Sequence, residues 1–308
     1  MNAAIRAVVR QGDALGVEVW GVRRGFQGLV EGDWSPLDTR HCANILQRGG
    51  TLLHTARCSA FHEAEVRAGV AARMAAEGLE ALVVIGGDGS FTGAEALHRE
   101  HGIPVAGIPG TIDNDLPGTD RTLGFDTALN TAVEAIDRIR DTASAHERLF
   151  LIEVMGRASG MLALHTAIAC GAEAVLYPEA EDDTYEALVL QLKTAWDRGK
   201  RSSIVVVAEG DQEGGAVSIS ERLKHDYGLD LRVAVLGHIQ RGGSPTALDR
   251  IWGSRWGAEA VLRLVAGEPA FYLGTEHGAM VRHPLERIRG PRPEIPKDLA
   301  ALVRILAR

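Results

Sequence analysis

Cysteine is scarce in this chain. Three occur in 308 residues, at Cys42, Cys58 and Cys170, far apart and without metal-site spacing. That excludes a disulfide scaffold and reads as reduced thiols in a cytosol. Basic runs are absent and the net charge is −8. This excludes a general nucleic-acid or membrane-surface binder, although local Arg and Lys can still hold phosphates. No uncharged apolar stretch reaches the ~18 residues of a membrane span. The opening Met1–Arg6 lacks a signal-peptide layout, and a cytoplasmic location is expected. There is no Ser/Gly-rich linker and no internal repeat. What is present is an apolar fraction of 45%, enough to bury the core of one large or two modest domains.

Strand-like apolar runs alternate with helical patterns. Val17–Val22, Leu79–Ile85, Pro104–Ile108, Leu149–Val154, Ala174–Tyr177, Ser203–Ala208 and Arg232–Leu236 read as buried strands. Most lack polar alternation, as parallel strands covered on both faces do. Thr127–Thr142 carries Leu129, Ala132, Val133, Ile136 and Ile139 at helical spacing. Gly160–Ala169, Thr184–Asp197 and Pro245–Ala266 also read as helices. The alternation predicts an α/β fold of two lobes, each a mostly parallel sheet sandwiched by helices. Sites are expected at the C-terminal ends of strands. The start departs from this order, because Asn2–Val9 reads as a helix with no strand and Gly-rich turn before it.

Four motifs carry chemistry. Gly86-Gly87-Asp88-Gly89-Ser90 follows an apolar run. Its glycines admit phosphate to the backbone, and Asp88 is a hard oxygen ligand suited to Mg²⁺. A helix is expected to begin near Thr92. Alone, this string is also a strand-to-helix turn with a capping Asp or Ser. Thr111-Ile112-Asp113-Asn114-Asp115 offers a hydroxyl and two carboxylates; in an extended stretch these three would share a face. Phosphoryl transfer needs a base and charge neutralisation, but Asn and Asp are also ordinary turn residues. Glu153-Val154-Met155-Gly156-Arg157 brings an Arg to a strand end, where it can clamp phosphate or form a surface salt bridge. Leu236–Pro245, with Arg232 before it, gathers His238 and Arg241 beside a Gly pair. Three cationic groups so close favour an anion site.

Together these motifs closely resemble the bacterial 6-phosphofructokinase family. Gln47–Thr51, Ala56-Arg57-Cys58, Glu134–Arg138 and Val205–Glu209 extend the similarity in order from Met1 to about Pro284. The resemblance implies transfer of a phosphoryl group from ATP, with Mg²⁺, to fructose 6-phosphate. It implies Asp113 as the general base for the sugar 1-hydroxyl and Asp115 as its helper. Thr111 and Arg157 would stabilise the transferring group, and Asp88 would bind metal. Phe26, Arg57, Cys58, Gly87, Asp88, Gly89 and Ser90 would hold the nucleotide. Met155, Gly156, Glu209, His238 and Arg241 would line the sugar-phosphate pocket, with Arg148 and Arg232 reaching it from a neighbouring subunit of a homotetramer. Arg6, Arg10, Glu179, Lys200 and Arg201 match effector-binding positions, although Thr39, Arg40 and Asn44 depart from the pattern there. The implied lobes are 1–124 with 240–293 for nucleotide, and 125–239 with 294–308 for sugar phosphate.

Gly89 and Gly110 stand where pyrophosphate-using relatives often carry Asp and Lys, so ATP is the expected donor. The family pattern also has a first strand and a Gly-Gly-Asp turn ahead of the segment matching Met1–Ala4. A translation start upstream is therefore expected, with weak or absent activity in its absence. The alternatives are a pyrophosphate-dependent enzyme and an inactive or regulatory subunit.

Overall fold

The computed structural model describes residues 1–146, 149–180, 185–199, 203–229 and 231–306. The chain divides into two compact units. One holds Met1–Thr111, Leu116–Gly124 and Gly243–Pro293; the other holds Ile112–Asp115, Phe125–Gly242 and Glu294–Arg308. Relative to the boundaries expected from sequence, Ile112–Asp115 and 240–242 fall with the second unit. The reason for the first of these is packing, since Ile112 joins a cluster with Phe125, Ala128, Met155 and Leu162.

The first unit begins with α1 (Asn2–Leu15), β1 (Trp20–Val22), α2 (Phe26–Glu31), β2 (Trp34–Pro36), α3 (Ala64–Ala76), β3 (Leu82–Gly86), α4 (Asp88–His101) and β4 (Val105–Pro109). The second unit contributes α5 (Phe125–His146), β5 (Leu149–Val154), α6 (Met161–Cys170), β6 (Ala174–Leu176), α7 (Tyr185–Asp197), β7 (Ser203–Ala208), α8 (Gly215–Tyr227) and β8 (Leu231–Val235). A 3₁₀ turn, Gly237–Arg241, follows. The first unit then resumes with α9 (Ala247–Val265), β9 (Ala270–Glu276) and β10 (Ala279–Pro284), and α10 (Lys297–Leu306) belongs to the second.

In the first unit the sheet runs β10-β9-β4-β3. The β3–β4 and β4–β9 pairs are parallel and β9–β10 is an antiparallel hairpin. Every residue of β4 is buried. Successive side chains of a strand point to opposite faces. Ala106 and Ile108 accordingly pack with Ala4, Trp252 and Trp256, while Val105 packs with Phe91, Leu116 and Tyr272. The second unit has an all-parallel sheet, β6-β7-β5-β8. Ile152, Val154 and Val206 face α5 and α6; Leu151, Val205 and Val207 face α7 and α8. Burying each such side chain contributes roughly 1.5–3 kcal/mol, which is why uninterrupted apolar runs hold the strands here. No described helix is long and apolar enough to cross a membrane.

Three local expectations are corrected. Val17–Val22 is not a buried sheet strand, since Trp20–Val22 forms a separate two-stranded antiparallel ribbon with Trp34–Pro36. The β9–β10 hairpin was not anticipated. Its loop residues His277 and Gly278 have φ of 52° and 77°, and positive φ at both central positions suits the twist of a tight hairpin. The helix after Gly87 begins at Asp88, one turn earlier than the Thr92 expected, so Gly89 and Ser90 are helical.

Candidate functional site

In the second unit the site is built around the C-terminal end of β5. Backbone pairing of this strand reaches Val154. The chain then turns sharply: Gly156 has φ 146° and Arg157 φ 53°, and Ser159 N–H donates to the Gly156 carbonyl at 2.9 Å. A left-handed Arg is costly and persists only where its surroundings impose it. Gly210 is one such surrounding. A Cβ there would lie 1.7 Å from the Arg157 carbonyl oxygen, so two backbone segments are in direct contact. The turn leaves Arg157 exposed while Met155 stays in the core at 5% exposure. The Met155 side chain packs with Phe125, Ala128 and Leu162.

Asp113 is 8% exposed and Asn114 3% exposed. Asn114 has φ 50°, and β4 has already ended at Pro109. The stretch from Thr111 to Asp115 is therefore bent, and the alternation expected of an extended chain does not hold there. Burial pushes the Asp113 carboxyl above its ordinary value, and the Asp115 charge adds to this. Arg157 and Arg241 oppose the shift and Glu209 reinforces it. These influences bring together residues far apart in sequence around one carboxyl.

The cationic motif lies on the 3₁₀ turn Gly237–Arg241. With about three residues per turn, side chains three apart eclipse, so His238 and Arg241 present to the same side. Both are exposed. Arg232, on β8, is also exposed. Arg148 lies outside the described residues.

The first unit carries the glycine motif at the start of α4. Gly86 ends β3, Gly87 caps the helix, and Asp88, Gly89 and Ser90 form its first turn. The first backbone N–H groups of a helix lack intrahelical acceptors, and with the helix dipole they form an anion site. Asp88 is exposed, and the Arg292 guanidinium stands 4.0 Å from its carboxylate. A Cβ at Gly89 would meet nothing within 4 Å. At Gly110 it would lie 3.2 Å from Ile85 and 3.3 Å from the Gly86 nitrogen. Thr111 borders the same motif, its Cβ 3.4 Å from where a Gly87 Cβ would be. Its carbonyl accepts a hydrogen bond from the Thr122 hydroxyl at 2.7 Å. Phe26 stacks on Phe61 with ring centroids 4.0 Å apart and planes 8° from parallel. Cys58 packs partly buried beside Leu29 and Phe61, and Arg57 is exposed.

The expected Mg²⁺ position fits this turn. Mg²⁺ commonly takes one or two carboxylates and completes its shell with phosphates and water. Asp88 is an accessible carboxylate of that kind, and among the described residues no three His, Cys, Asp or Glu gather into a protein cage.

The expected effector residues divide between the units. Arg6 and Arg10, one helical turn apart on α1, both lower the Cys42 thiol pKa against a larger upward push from burial. Glu179 already has a structural task, since both its carboxylate oxygens accept from Gly160 N–H, at 3.0 and 2.9 Å, at the start of α6. Lys200 and Arg201 lie outside the described residues. Two supporting residues escaped sequence reasoning, Gly210 and Thr122. A glycine after Glu209 gives no sign of the backbone it must touch, and a lone Thr gives none of the carbonyl it serves.

The chain matches the family described as Phosphofructokinase over residues 1–264. It is similar to ATP-dependent 6-phosphofructokinase 1 of Thermus thermophilus, with 54% identity over 307 residues, 100% of this chain and 95% of that protein. An ATP-dependent 6-phosphofructokinase of Shouchella clausii is 49% identical over 288 residues, 94% of this chain and 89% of that protein. The phosphofructokinase structure from Saccharomyces cerevisiae superposes with a TM-score of 0.85 at 31% identity, covering 99% of this chain and 45% of the yeast chain. This chain thus spans less than half the length of the yeast chain. A pyrophosphate-dependent phosphofructokinase from Marinobacter aquaeolei superposes with a TM-score of 0.84, covering 99% of this chain and 88% of that one. At 21% identity that likeness concerns the fold alone.

Proposed function

Since this chain belongs to the phosphofructokinase family, we propose that it transfers the terminal phosphoryl group of ATP to the 1-hydroxyl of fructose 6-phosphate, giving ADP and fructose 1,6-bisphosphate. The observation that carries this reading is the buried Asp113 carboxyl, raised in pKa by burial and by Asp115, with Arg157 and Arg241 near enough to oppose the shift. A carboxyl of raised pKa is a better base for an alcohol proton than an ordinary surface aspartate. Asp113 takes the proton of the sugar hydroxyl as the new O–P bond forms, and Asp115 stands beside it. Arg157 and Thr111 offer donors to the transferring group, whose charge spreads over its oxygens. His238 and Arg241, on their common side, bind the sugar phosphate. Glu209 accepts from sugar hydroxyls, and Met155 and Gly156 shape the pocket wall. The first turn of α4 holds nucleotide phosphates through Gly87, Gly89 and Ser90, with Phe26, Arg57 and Cys58 around the remainder. Asp88 would hold Mg²⁺, which when bound neutralises phosphate charge. The protein is read as a cytoplasmic homotetramer, in which Arg148 and Arg232 serve a neighbouring subunit. Arg6, Arg10, Glu179, Lys200 and Arg201 are read as contributing to an effector site.

The donor assay tests the central claim. Faster turnover with pyrophosphate than with ATP overturns the choice of donor. Open space at Gly89 supports ATP, because the position is free to admit nucleotide. Gly110 supports it differently, because a lysine there would press its Cβ on Ile85 and the Gly86 backbone.

Two further results are expected. First, kcat/KM should rise with pH along an acid limb lying above the ordinary aspartate value of 3.8, because the base acts only when deprotonated. A limb at or below that value would separate Asp113 from the rate. Second, Arg232→Ala should raise KM for the sugar phosphate far more than KM for ATP. Equal effects on the two would contradict a sugar-phosphate role, and light scattering of the same preparations would test the tetramer.

A further inference from the structure

The structure assigns to Gln240 the role of a positioning residue, which locks the Met155–Arg157 turn to the 3₁₀ turn carrying His238 and Arg241; this deepens the proposed sugar-phosphate site and rests on that reading. β5 pairs with β8 as far as Glu153↔Val235 and with β7 as far as Val154↔Ala208. Just past these ladders, Leu236 N–H donates to the Glu153 carbonyl at 3.0 Å and Glu209 N–H to the Val154 carbonyl at 2.8 Å. The next donor along β5 is Met155 N–H. It is buried and lies beyond both pairings, and a buried backbone N–H requires an acceptor. The side chain of Gln240 provides it, with Oε1 accepting from Met155 N–H at 2.9 Å.

The placement matters for the site. Gln240 is 1% exposed, on the buried side of a turn whose exposed side presents His238 and Arg241. Arg157 lies two residues beyond Met155, and Arg241 lies next to Gln240. One hydrogen bond therefore joins the two segments whose arginines both act on the charge of Asp113. Gln240 cannot itself touch substrate from this position.

The chemistry of the side chain points the same way. Its Nε2 is buried and has no hydrogen-bond partner among the described residues. Such an orphan donor offsets much of what the accepting oxygen contributes to stability. A leucine would fill similar volume without that penalty. What only the carboxamide supplies is a fixed geometry between the two segments.

The test uses the full chain with Gln240→Leu, which removes the acceptor, and Gln240→Glu, which keeps an accepting oxygen at the same reach but buries a carboxyl. Gln240→Leu should raise KM for fructose 6-phosphate about tenfold or more and lower kcat as the Arg157 turn loosens, with KM for ATP within about threefold of the parent, since small misplacements of binding groups are costly. Gln240→Glu should lie nearer the parent in sugar KM, although it should melt at the lower temperature. A merely structural role predicts the opposite order, with sugar KM following melting temperature, and that order would overturn the assignment. So would a parent-like sugar KM in Gln240→Leu. Amide hydrogen exchange read without substrate should speed up at Met155–Arg157 in Gln240→Leu; unchanged exchange there also overturns it. A parent chain that phosphorylates no sugar phosphate with either donor would instead sink the proposed function, while the exchange result would still decide the role of Gln240.

Discussion

Replacing Asp113 by serine is expected to lower kcat by ~10²–10⁴-fold while leaving KM for fructose 6-phosphate nearly unchanged, the signature of a lost general base. The same substitution should not unfold the protein. The carboxyl is 8% exposed and its pKa is raised first by burial and then by Asp115. A carboxyl whose folded pKa exceeds its unfolded value binds its proton more tightly in the native state. Its contribution to stability therefore falls as pH rises from the unfolded value of 3.8 through the raised folded value. Above that window the ionised group costs stability in full. At neutral pH, Asp113→Ser should accordingly melt no lower than the parent in the absence of substrates. Kinetics and a thermal melt on one preparation check both halves. An unchanged kcat removes Asp113 from the base role, and a collapsed melt would mean that the kinetic loss reflects unfolding.

Gly210→Ala is the second large effect. The new methyl would sit 1.7 Å from the Arg157 carbonyl oxygen and 2.8 Å from its carbon. No rotamer relieves a Cβ clash with backbone, so the turn must move by more than an ångström. A displacement of that size at Arg157, proposed to stabilise the transferring phosphoryl, should reduce kcat by ~10²-fold. Overpacking of this kind should also cost about 1–3 kcal/mol of stability. Gly69→Ala is the control. Gly69 lies inside α3, and a Cβ there meets nothing within 4 Å. It should leave kcat unchanged and stabilise the protein by about 0.5–1 kcal/mol, the usual helical preference for Ala over Gly. Full activity in Gly210→Ala would show that the Arg157 turn can shift without consequence.

Much of the fold was legible because its strands are buried on both faces. Leu149–Val154, interrupted only by Glu153, and Ser203–Ala208, apolar after Ser203, have the bounds expected from sequence. The β9–β10 hairpin was not legible, because β10 is largely exposed and carries Arg282 and His283 among its apolar residues. The ribbon at Trp20–Val22 misled for the reverse reason, since an apolar run marks a strand without saying which sheet, if any, receives it.

The candidate site divides along the same line. By themselves, residue type and spacing pointed to phosphate-handling chemistry and left capped turns open at the first two motifs. A Gly-Gly-Asp-Gly-Ser string, a carboxylate pair and a cationic cluster, in that order, are local properties of the chain. Tertiary structure alone decided how those groups behave. The Asp113 pKa depends on burial and on Arg157, Glu209 and Arg241, and the left-handed turn at Arg157 depends on the close approach of Gly210. Met155 N–H depends on Gln240 for its acceptor. Electrostatic shifts, steric contact and hydrogen bonds act over a few ångströms of space, and the residues that exert them here lie tens of positions away along the chain.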